Sequence, residues 1–359
     1  MLIGILADCH LGKHKFRKID ENGQNLYNEL NNKAFKEAIN ILDKENVENI
    51  IIAGDLFDSP NPPVQSVILA NEVFSNINKN IYLLGGNHDY SQINNQINIH
   101  SFDLLYPKNI LKEYKNISHY ELDDCNLVFM PYKFMKPEYF GEIYKIVESY
   151  NLKNNKNPSI LIIHGYINLN NDENAIKEFA LPKQVVDLFN LVVCGHIHLP
   201  NYIDFGNTNI LTPGSLMPSS YALNILNEVK ESSGIDIEPS VYTYNTETNI
   251  VKRIKIPNIP QVNNIIAENY EDLNNILNNI KESKINYNIY SIRYNGKMDE
   301  IDEILYKNAI QNSLILSIKT IDNKVDEIND NQDFLNFWDF ISQNYPDYYD
   351  EFQQIKENV

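Results

Sequence analysis

The sequence predicts an α/β fold in which β-sheets are layered and helices lie on the outside. Six short runs rich in isoleucine, valine and leucine recur along the first part of the chain, with polar stretches between them. Because these runs are unbroken rather than alternating, they favour strands buried on both faces of a sheet. Helical patterns separate the first runs, and such alternation is typical of sheets covered by helices. The runs are MLIGILA, NIIIAG, NIYLLGG, LVFMP, SILIIHG and LVVCGH.

Two helices are expected between the first three runs. The first should bury one face made of Leu30, Ala34, Phe35, Ala38, Ile39 and Leu42. The second should begin after SPNPP, because proline suits the first turn of a helix. Its expected buried face consists of Val64, Val67, Ile68, Val73, Phe74 and Ile77.

The character of the sequence changes after LTPGSLMPSS. The hairpin pattern VYTYNTETNIVKRIKI leads to the proline-flanked segment PNIP, and we place a domain boundary near residue 257. Residues 258–322 predict a β-α-β-α-β module, near the lower size limit of a domain that folds alone. Residues 323–359 predict a helical tail, which either packs on its own domain or offers an aromatic stripe to a partner. That stripe consists of Phe334, Phe337, Trp338 and Ile341.

Charge and cysteine content limit the class of protein. The chain has 30 basic and 48 acidic residues, and its net charge of −18 argues against indiscriminate binding to nucleic acid or anionic membrane. A local basic groove remains compatible with this charge. The widely spaced Cys9, Cys125 and Cys194 suit a reducing compartment. Without a signal-peptide pattern or an apolar run of membrane-spanning length, the chain is expected to be soluble and cytoplasmic, without membrane contact.

Five of the six apolar runs end in side chains that can bind a metal ion. An open α/β sheet builds its site at the carboxyl ends of its strands, so these side chains should meet. In extended backbone, residues i and i+2 point the same way, and this predicts that each D-x-H or H-x-H segment aims both side chains into one pocket. The residues are Asp8 and His10; Asp55 and Asp58; Asn87, His88 and Asp89; His164; and His196 and His198.

The chemistry of this set indicates which ions it would hold. Carboxylate, imidazole and amide oxygen together suit manganese, iron or zinc better than calcium. Seven ligands are too many for one tetrahedral ion, and they suit two ions about 3.5 to 4 Å apart that share a carboxylate. Glycines stand beside the ligands, where sharp turns and close approach are needed. These glycines are Gly54, Gly86, Gly165 and Gly195.

Several residues of the right chemical type have a simpler interpretation. Asp58 can cap the following helix instead of binding a metal. Cys9 and Cys194 fit better as small core residues, because a thiolate competes poorly for ions that prefer oxygen. The remaining histidines are expected to be structural. They are His14, His100 and His119.

In this order, the segments resemble the calcineurin-like metallophosphoesterase superfamily: D-x-H, G-D-x-x-D, G-N-H-D, a lone histidine and G-H-x-H. The segments DCHLGK, GDLFDSPNPP and LTPGS resemble those of SbcD-type DNA double-strand-break repair nucleases. The resemblance rests on motifs up to about residue 216, and only on pattern from there to about residue 320. It implies a four-layer sandwich of two β-sheets flanked by helices, followed by a small α/β capping domain.

The resemblance also implies a role for each motif residue. One divalent ion would be held by Asp8, His10, Asp55 and His198, and the other by Asp55, Asn87, His164 and His196. Asp55 would bridge the two ions, for which manganese is the expected species. His88 would contact the scissile phosphate and assist the departing oxygen, oriented by Asp89.

The implied activity is that of a metal-dependent DNA nuclease, an exonuclease on duplex ends and an endonuclease on single strands. It would be the nuclease subunit of an SbcCD-type DNA repair or recombination complex. The implied partners are DNA, an SbcC-type coiled-coil ATPase that docks near Trp338, and a second copy of the chain bound through residues 62–78 or 92–105. Since no G-x-x-x-x-G-K-[ST] segment occurs, the chain is not expected to hydrolyse ATP itself.

A basic segment and one alternative function complete the expectations. GKHKFRK follows the ligand His10 and either grips DNA phosphates or forms a solvated loop; its cations are Lys13, Lys15, Arg17 and Lys18. The alternative is a metallophosphoesterase acting on a small phosphodiester or a phosphoprotein. Ser59 stands where related protein phosphatases have an arginine, which disfavours the phosphoprotein substrate. A metal-free scaffold is disfavoured because no ligand is missing.

Overall fold

The computed structural model describes residues 1–15, 18–20, 22–93, 96–168, 180–218, 238–282, 287–297 and 301–320. These residues form two compact units. The first contains the described residues up to 262 together with 287–288, and the second contains the described residues 263–282, 289–297 and 301–320. Among the described residues, no helix is both long and apolar enough to cross a membrane.

The first unit contains two six-stranded sheets. The strands of the first sheet are β1 (Leu2–Leu6), β2 (Asn49–Ile52), β3 (Asn80–Leu84), β6 (Ile110–Glu113), β15 (Ser240–Asn245) and β16 (Ile250–Lys255). Their order is β16-β15-β1-β2-β3-β6, and β1, β2, β3 and β6 run parallel. The parallel run puts the carboxyl ends of β1, β2 and β3 side by side at one edge.

The second sheet also combines parallel and antiparallel pairs. Its strands are β7 (Ser118–Glu121), β8 (Asn126–Met130), β9 (Ser159–His164), β12 (Leu191–Gly195), β13 (Asn201–Phe205) and β14 (Thr208–Thr212). Their order is β13-β14-β12-β9-β8-β7, with β8, β9, β12 and β14 parallel and an antiparallel strand at each edge. Two short ribbons accompany the sheets: β4 (Tyr90–Ile93) with β5 (Gln96–His100), and β10 (Tyr166–Asn168) with β11 (Ala180–Pro182).

The two sheets pack face to face, and helices cover their outer faces. Ile5 and Ile51 of the first sheet share one buried cluster with Phe129 and Ile162 of the second. The helices are α1 (Leu26–Lys44), α2 (Val64–Ser75), α3 (Pro137–Ser149) and the short α4 (Lys183–Val186), with 3₁₀ turns at Ser101–Leu104, Tyr132–Phe134 and Leu152–Asn154. The predicted sandwich of two sheets flanked by helices is confirmed.

The first helix buries the predicted face, and the second does not. All six predicted residues of α1 are buried, and Leu42 packs against Gly4 of β1. In α2 the buried residues are Ser66, Leu69, Ala70, Asn71 and Phe74, whereas Val64 is 70% and Ile68 51% exposed. The prediction failed because a polar residue occupies the inner face: the Asn71 amide donates to the carbonyls of Val67 and Leu104.

The second unit has a three-stranded sheet and two helices. Its elements are β17 (Val262–Ala267), α5 (Tyr270–Glu282), β18 (Ile289–Tyr294), α6 (Glu303–Gln311) and β19 (Ile315–Thr320), and the strand order is β17-β18-β19. Leu273, Leu277, Ile292 and Ala309 form its core. The predicted tail with Phe334, Phe337, Trp338 and Ile341 lies outside the described residues.

Candidate metal centre

The predicted ligands come together where parallel strands of both sheets end. Asp8 and His10 follow β1, Asp55 follows β2, and Asn87 follows β3, all in the first sheet. In the second sheet His164 ends β9, while His196 and His198 follow β12. One face of the site therefore comes from each sheet.

Asp8, His10 and His198 form a first cluster. Their ligand atoms all lie within 4.8 Å of one another, a spacing that can hold a metal ion. Nε2 of His10 lies 3.0 Å from Nε2 of His198, which in turn lies 3.7 Å from Oδ1 of Asp8. Since a neutral imidazole has one acceptor nitrogen, two facing Nε2 atoms suit a shared cation between their lone pairs.

Asn87, His164 and His196 form a second cluster. Oδ1 of Asn87 lies 3.0 Å from Nε2 of His164 and 3.0 Å from Nδ1 of His196. His164 Nδ1 faces the carbonyl of Ala53 at 2.9 Å, which leaves Nε2 turned towards the cluster. An imidazole held through its second nitrogen is the usual arrangement of a histidine that binds metal.

Asp55 lies between the two clusters. Its Oδ2 is 3.8 Å from Nε2 of His10 and 3.3 Å from Nε2 of His164. Asp55 also forms metal-competent groups with Asp8 and His164, and with His10 and His88. A single carboxylate oxygen thus faces one histidine of each cluster.

Left-handed backbone brings these side chains together. The φ angles of Asp8, His10, Asp55 and His196 are +50°, +45°, +51° and +89°. The expected alternation along an extended segment is therefore wrong, because β1 ends at Leu6 and β12 at Gly195, before the ligands. Such φ values in residues other than glycine are costly, and they cluster at functional sites.

The glycines beside the ligands are required by close approach. A Cβ on Gly54, whose φ is +94°, would lie 2.0 Å from Nδ1 of His164. A Cβ on Gly86 would lie 2.2 Å from Oδ1 of Asp55, and one on Gly195 would lie 1.8 Å from the carbonyl oxygen of Ala53. The site can close only because these positions have no side chain.

His88 stands at the rim of the site, and Asp89 lies buried beside it in the chain. The His88 N–H donates to Oδ1 of Asp55 at 2.9 Å, and its Nδ1 lies 3.0 Å from the carbonyl oxygen of Asp58. Asp89 is fully buried and accepts from the backbone N–H groups of Phe57 and Gly86. Asp89 thus ties the loop after β2 to the loop after β3, and its predicted role in orienting His88 stays a prediction.

Asp58 is not the cap of α2, since Pro63 occupies that position. Its Oδ1 lies 3.0 Å from Nδ1 of His10 and 2.8 Å from Nζ of Lys13. Burial alone would raise the pKa of Asp58, but His10 and Lys13 lower it below its usual value. Sequence reasoning missed this link, because residues 10, 13 and 58 carry no spacing signal that joins them.

The buried charges of the site fit a cation. Burial, reinforced by the charge of Asp55, raises the pKa of Asp8 to about 8 and that of Asp89 to about 7. Against its burial, Asp55 keeps a pKa well below the usual range because His164 and His10 stabilise its charge. Burial lowers the pKa of His10 and His198, which favours the neutral form that binds metal. The donor set fits divalent cations, whose charge offsets such crowding.

Only part of the basic segment GKHKFRK lies at the metal site among the described residues. Lys13 is paired with Asp58, while Lys15 lines the cleft beside Asp8, His10 and His198. Burial lowers the pKa of Lys15 and that of Lys18 to about 8. Arg17 lies outside the described residues.

Most residues with simpler interpretations lie in structural surroundings, whereas His14 is exposed. His100 is buried, with its ring 3.9 Å from that of Tyr114, and His119 lies 3.0 Å from Oδ1 of Asn126. Cys9 and Cys194 are buried, and burial raises the pKa of both thiols.

Sequence analysis did not predict the aromatic residues that line one side of the site. They are Tyr132 and Tyr166, whose rings lie 5.9 Å and 4.8 Å from the ring of His196.

The chain is similar in sequence to known proteins. Mre11, the DNA double-strand break repair protein of Sulfurisphaera tokodaii, is 28% identical over 208 residues, covering 54% of this chain and 48% of that protein. Mre11 of Methanococcus maripaludis is 28% identical over 203 residues, covering 54% and 50%. The SbcD component of the nuclease SbcCD of Staphylococcus epidermidis is 27% identical over 263 residues, covering 65% of each chain.

The chain spans about half the length of the archaeal relatives it matches. The profile of the family described as calcineurin-like phosphoesterase matches residues 1–200, more than half of the chain and every segment that carries a predicted ligand. The chain therefore belongs to the calcineurin-like phosphoesterase family.

Proposed function

We propose that this chain is a metal-dependent DNA nuclease, the nuclease subunit of an SbcCD-type repair or recombination complex. It would degrade duplex ends as an exonuclease and cut single strands as an endonuclease. The observation that carries the proposal is the pair of Asp/His clusters joined at Oδ2 of Asp55. The similarity to Mre11 and to the SbcD component of SbcCD supports DNA as the substrate.

Seven side chains would hold two divalent ions, with manganese the proposed species. They are Asp8, His10, Asp55, Asn87, His164, His196 and His198. When bound, the ions would lower the pKa of water and neutralise charge on the phosphate. Asp58 and the Ala53 carbonyl hold His10 and His164 from behind, so that Nε2 of each ring stays turned inwards.

His88 would act on the leaving group. Its ring stands edge-on to that of His10, with the ring centroids 4.9 Å apart, and Asp55 fixes its backbone. The imidazole is half-buried at the rim of the clusters, where it can pass a proton to a departing oxygen. Asp89 would support this step indirectly, by holding the loop that carries Asn87 and His88.

DNA phosphates would meet lysines on the surface around the site. Lys15 and Lys18 remain candidates from the basic segment, while Lys13 faces Asp58. Lys112, Lys115 and Lys133 form another group, and all three act electrostatically on the buried His100. Among the described residues, none of these three forms an ion pair, although Lys112 donates to the Leu105 carbonyl at 2.7 Å and Lys133 to the Lys115 carbonyl at 2.9 Å. Such lysines are suited to phosphate contacts in an otherwise acidic chain.

A second copy of the chain would bind through the exposed side of α2. Val64, Ile68, Leu104 and Tyr106 are 70%, 51%, 49% and 74% exposed. Asn71 of α2 joins this helix to the segment that carries Leu104 and Tyr106, because it donates to the Leu104 carbonyl and accepts from the Tyr106 N–H. These four side chains, here called the α2 surface, lie in or beside the predicted dimer segments. Apolar residues grouped in this way on a soluble surface are typical of association sites.

The remaining assignments concern the capping domain and the tail that would bind the partner ATPase. Residues 258–322 would be the small α/β capping domain. The tail 323–359, with Phe334, Phe337, Trp338 and Ile341, would dock an SbcC-type coiled-coil ATPase. Deleting the tail should abolish co-purification with such an ATPase, while hydrolysis of a small phosphodiester continues. If co-purification is unchanged, the tail is not the docking element.

The activity test uses end-labelled linear duplex and single-stranded DNA with manganese, with and without an SbcC-type ATPase. Bis(p-nitrophenyl) phosphate serves as a small phosphodiester. Wild type should degrade DNA, and His88→Ala and Asp55→Ala should not, while the surface variant Lys183→Ala should match wild type. If the small ester is cleaved and DNA stays intact even with the ATPase, the alternative of a small-substrate phosphoesterase is the better assignment.

A further inference from the structure

Asn31 of α1 lies directly behind the first metal cluster. It is 2% exposed, and its side-chain amide donates two hydrogen bonds, to the carbonyl of Cys9 at 2.9 Å and to that of His10 at 3.0 Å. Asparagine is a poor residue for the interior of a helix, so its presence in α1 calls for a tertiary role.

The segment that Asn31 holds is the most contorted part of the site. Asp8 and His10 are both left-handed, with φ of +50° and +45°. Backbone of this kind persists only where its surroundings over-determine it. The N–H side of the segment is anchored to the loop after β2: Asp8 N–H donates to the Gly54 carbonyl and His10 N–H to the Asp55 carbonyl.

On the carbonyl side the anchoring side chain is that of Asn31, and the His10 carbonyl also accepts the Lys13 N–H at 3.1 Å. The two carbonyls that it binds belong to the peptide units before and after His10. Fixing both units fixes the direction of the His10 side chain, whose Nε2 faces His198 at 3.0 Å. Asn31 also lines the cleft that contains Asp8, His10 and His198.

We propose that Asn31 is a positioning residue for the first metal ion, which holds the Asp8–His10 turn so that both side chains face the same cation as His198. The inference rests on the metal role given to these residues in the proposed function. It does not depend on whether the substrate is DNA.

The chain offers a matched control in Asn71. Asn71 of α2 is also 2% exposed, and its amide also donates to two carbonyls, those of Val67 at 2.9 Å and Leu104 at 3.2 Å. Its partners lie away from the ligands. Asn71→Leu therefore removes two donated hydrogen bonds from a buried helical site, as Asn31→Leu does, together with the one that Asn71 accepts from the Tyr106 N–H, and it does not touch the Asp8–His10 turn.

The experiment compares wild type, Asn31→Leu, Asn31→Ala and Asn71→Leu as purified full-length chains. Manganese binding is measured from the electron paramagnetic resonance signal of the free ion, and the unfolding temperature is measured without metal. Asn31→Leu should weaken one of two manganese sites by about 10- to 100-fold and spare the other, the range seen when an outer-shell partner of a ligand is lost. Asn31→Ala should lose less, because water can enter the space and donate in its place.

Asn71→Leu should lower the unfolding temperature about as much as Asn31→Leu and still bind two ions with wild-type affinity. The proposal is overturned if Asn31→Leu binds both ions as tightly as wild type. It is also overturned if Asn71→Leu weakens manganese binding equally, because the effect would then be one of general stability. A wild-type chain that binds no manganese would overturn the metal role itself, and this inference with it. A chain that binds manganese but leaves DNA intact would contradict only the nuclease assignment.

Discussion

One carboxylate oxygen of Asp55 accepts a hydrogen bond from the backbone of His88, and the other oxygen faces both metal clusters. Oδ1 of Asp55 accepts the His88 N–H at 2.9 Å, while Oδ2 faces His10 and His164. One side chain therefore places both clusters and the residue proposed to act on the leaving oxygen. Removing it should disturb all three, whereas removing a ligand of one cluster should disturb only that cluster.

Asp55→Ala should bind less than one manganese ion per chain, and Asp8→Ala should bind about one, against two for wild type. Metal content after dialysis, measured by inductively coupled plasma mass spectrometry, checks this. Asp187→Ala, which removes an exposed carboxylate outside the site, should keep both ions. Equal metal loss in Asp55→Ala and Asp8→Ala would contradict the bridging position of Asp55.

His88→Gln should retain both ions but lower the rate of phosphodiester hydrolysis, because the group that protonates the departing oxygen is lost. General acid catalysis contributes about 10²- to 10⁴-fold. The loss should be large for DNA and small for bis(p-nitrophenyl) phosphate, whose leaving group needs little proton transfer. An equal loss on both substrates would indicate that His88 binds the phosphate without acting on the leaving oxygen.

Lys13 should influence metal binding through Asp58. Asp58→Asn should weaken one manganese site, because His10 loses the carboxylate 3.0 Å behind its ring. Lys13→Met should weaken the same site in the wild-type background and add little in the Asp58→Asn background. A double-mutant cycle on manganese affinity measures this coupling. If Lys13 instead grips DNA, Lys13→Met will lower the salt dependence of DNA binding equally in both backgrounds.

Gly54→Ala should remove the second metal ion, because its Cβ would lie 2.0 Å from Nδ1 of His164. Gly206→Ala is the control: its φ of +76° is comparably strained for alanine, but nothing lies within 4 Å of its Cβ. In both variants the left-handed backbone should lower the free energy of unfolding by about 1 kcal/mol. In Gly54→Ala, overpacking against His164 should lower it by about 1 to 3 kcal/mol more. Calorimetry with manganese titration separates the effects, and full metal binding by Gly54→Ala would contradict the close approach.

The α2 surface should govern self-association. Ile68→Glu should shift a concentration-dependent dimer to monomer in sedimentation equilibrium, because it places a charge in the middle of an apolar contact. Ile250→Glu, which introduces the same charge at a residue 61% exposed on β16, should leave the dimer intact. A wild-type chain that stays monomeric at all concentrations would contradict the proposed dimer.

Much of the sandwich could be predicted because its strands are unbroken apolar runs. The same runs end in ligand-type side chains, and strand direction alone predicts that these side chains lie at the same edge of each sheet. The four left-handed residues could not be predicted, since the enrichment of aspartate and histidine at positive φ is too weak to single out individual positions. The buried face of α2 was mispredicted because its polar Asn71 satisfies carbonyls of a neighbouring turn. Likewise, contacts such as Asp58 with His10 join residues far apart in the chain, and only the packed loops bring them within 3.0 Å.

Because the ligands come from two different sheets, metal binding would affect how the protein unfolds. One sheet positions Asp8, His10, Asp55 and Asn87, and the other positions His164, His196 and His198. Bound ions would therefore link the two sheets through their ligands. Ions that bind the folded chain alone stabilise it by mass action, by about 3 kcal/mol when their free concentration exceeds the dissociation constant about a hundredfold. The two sheets could then separate only after the ions dissociate. The rate of unfolding would therefore fall as the occupancy of the metal centre rises.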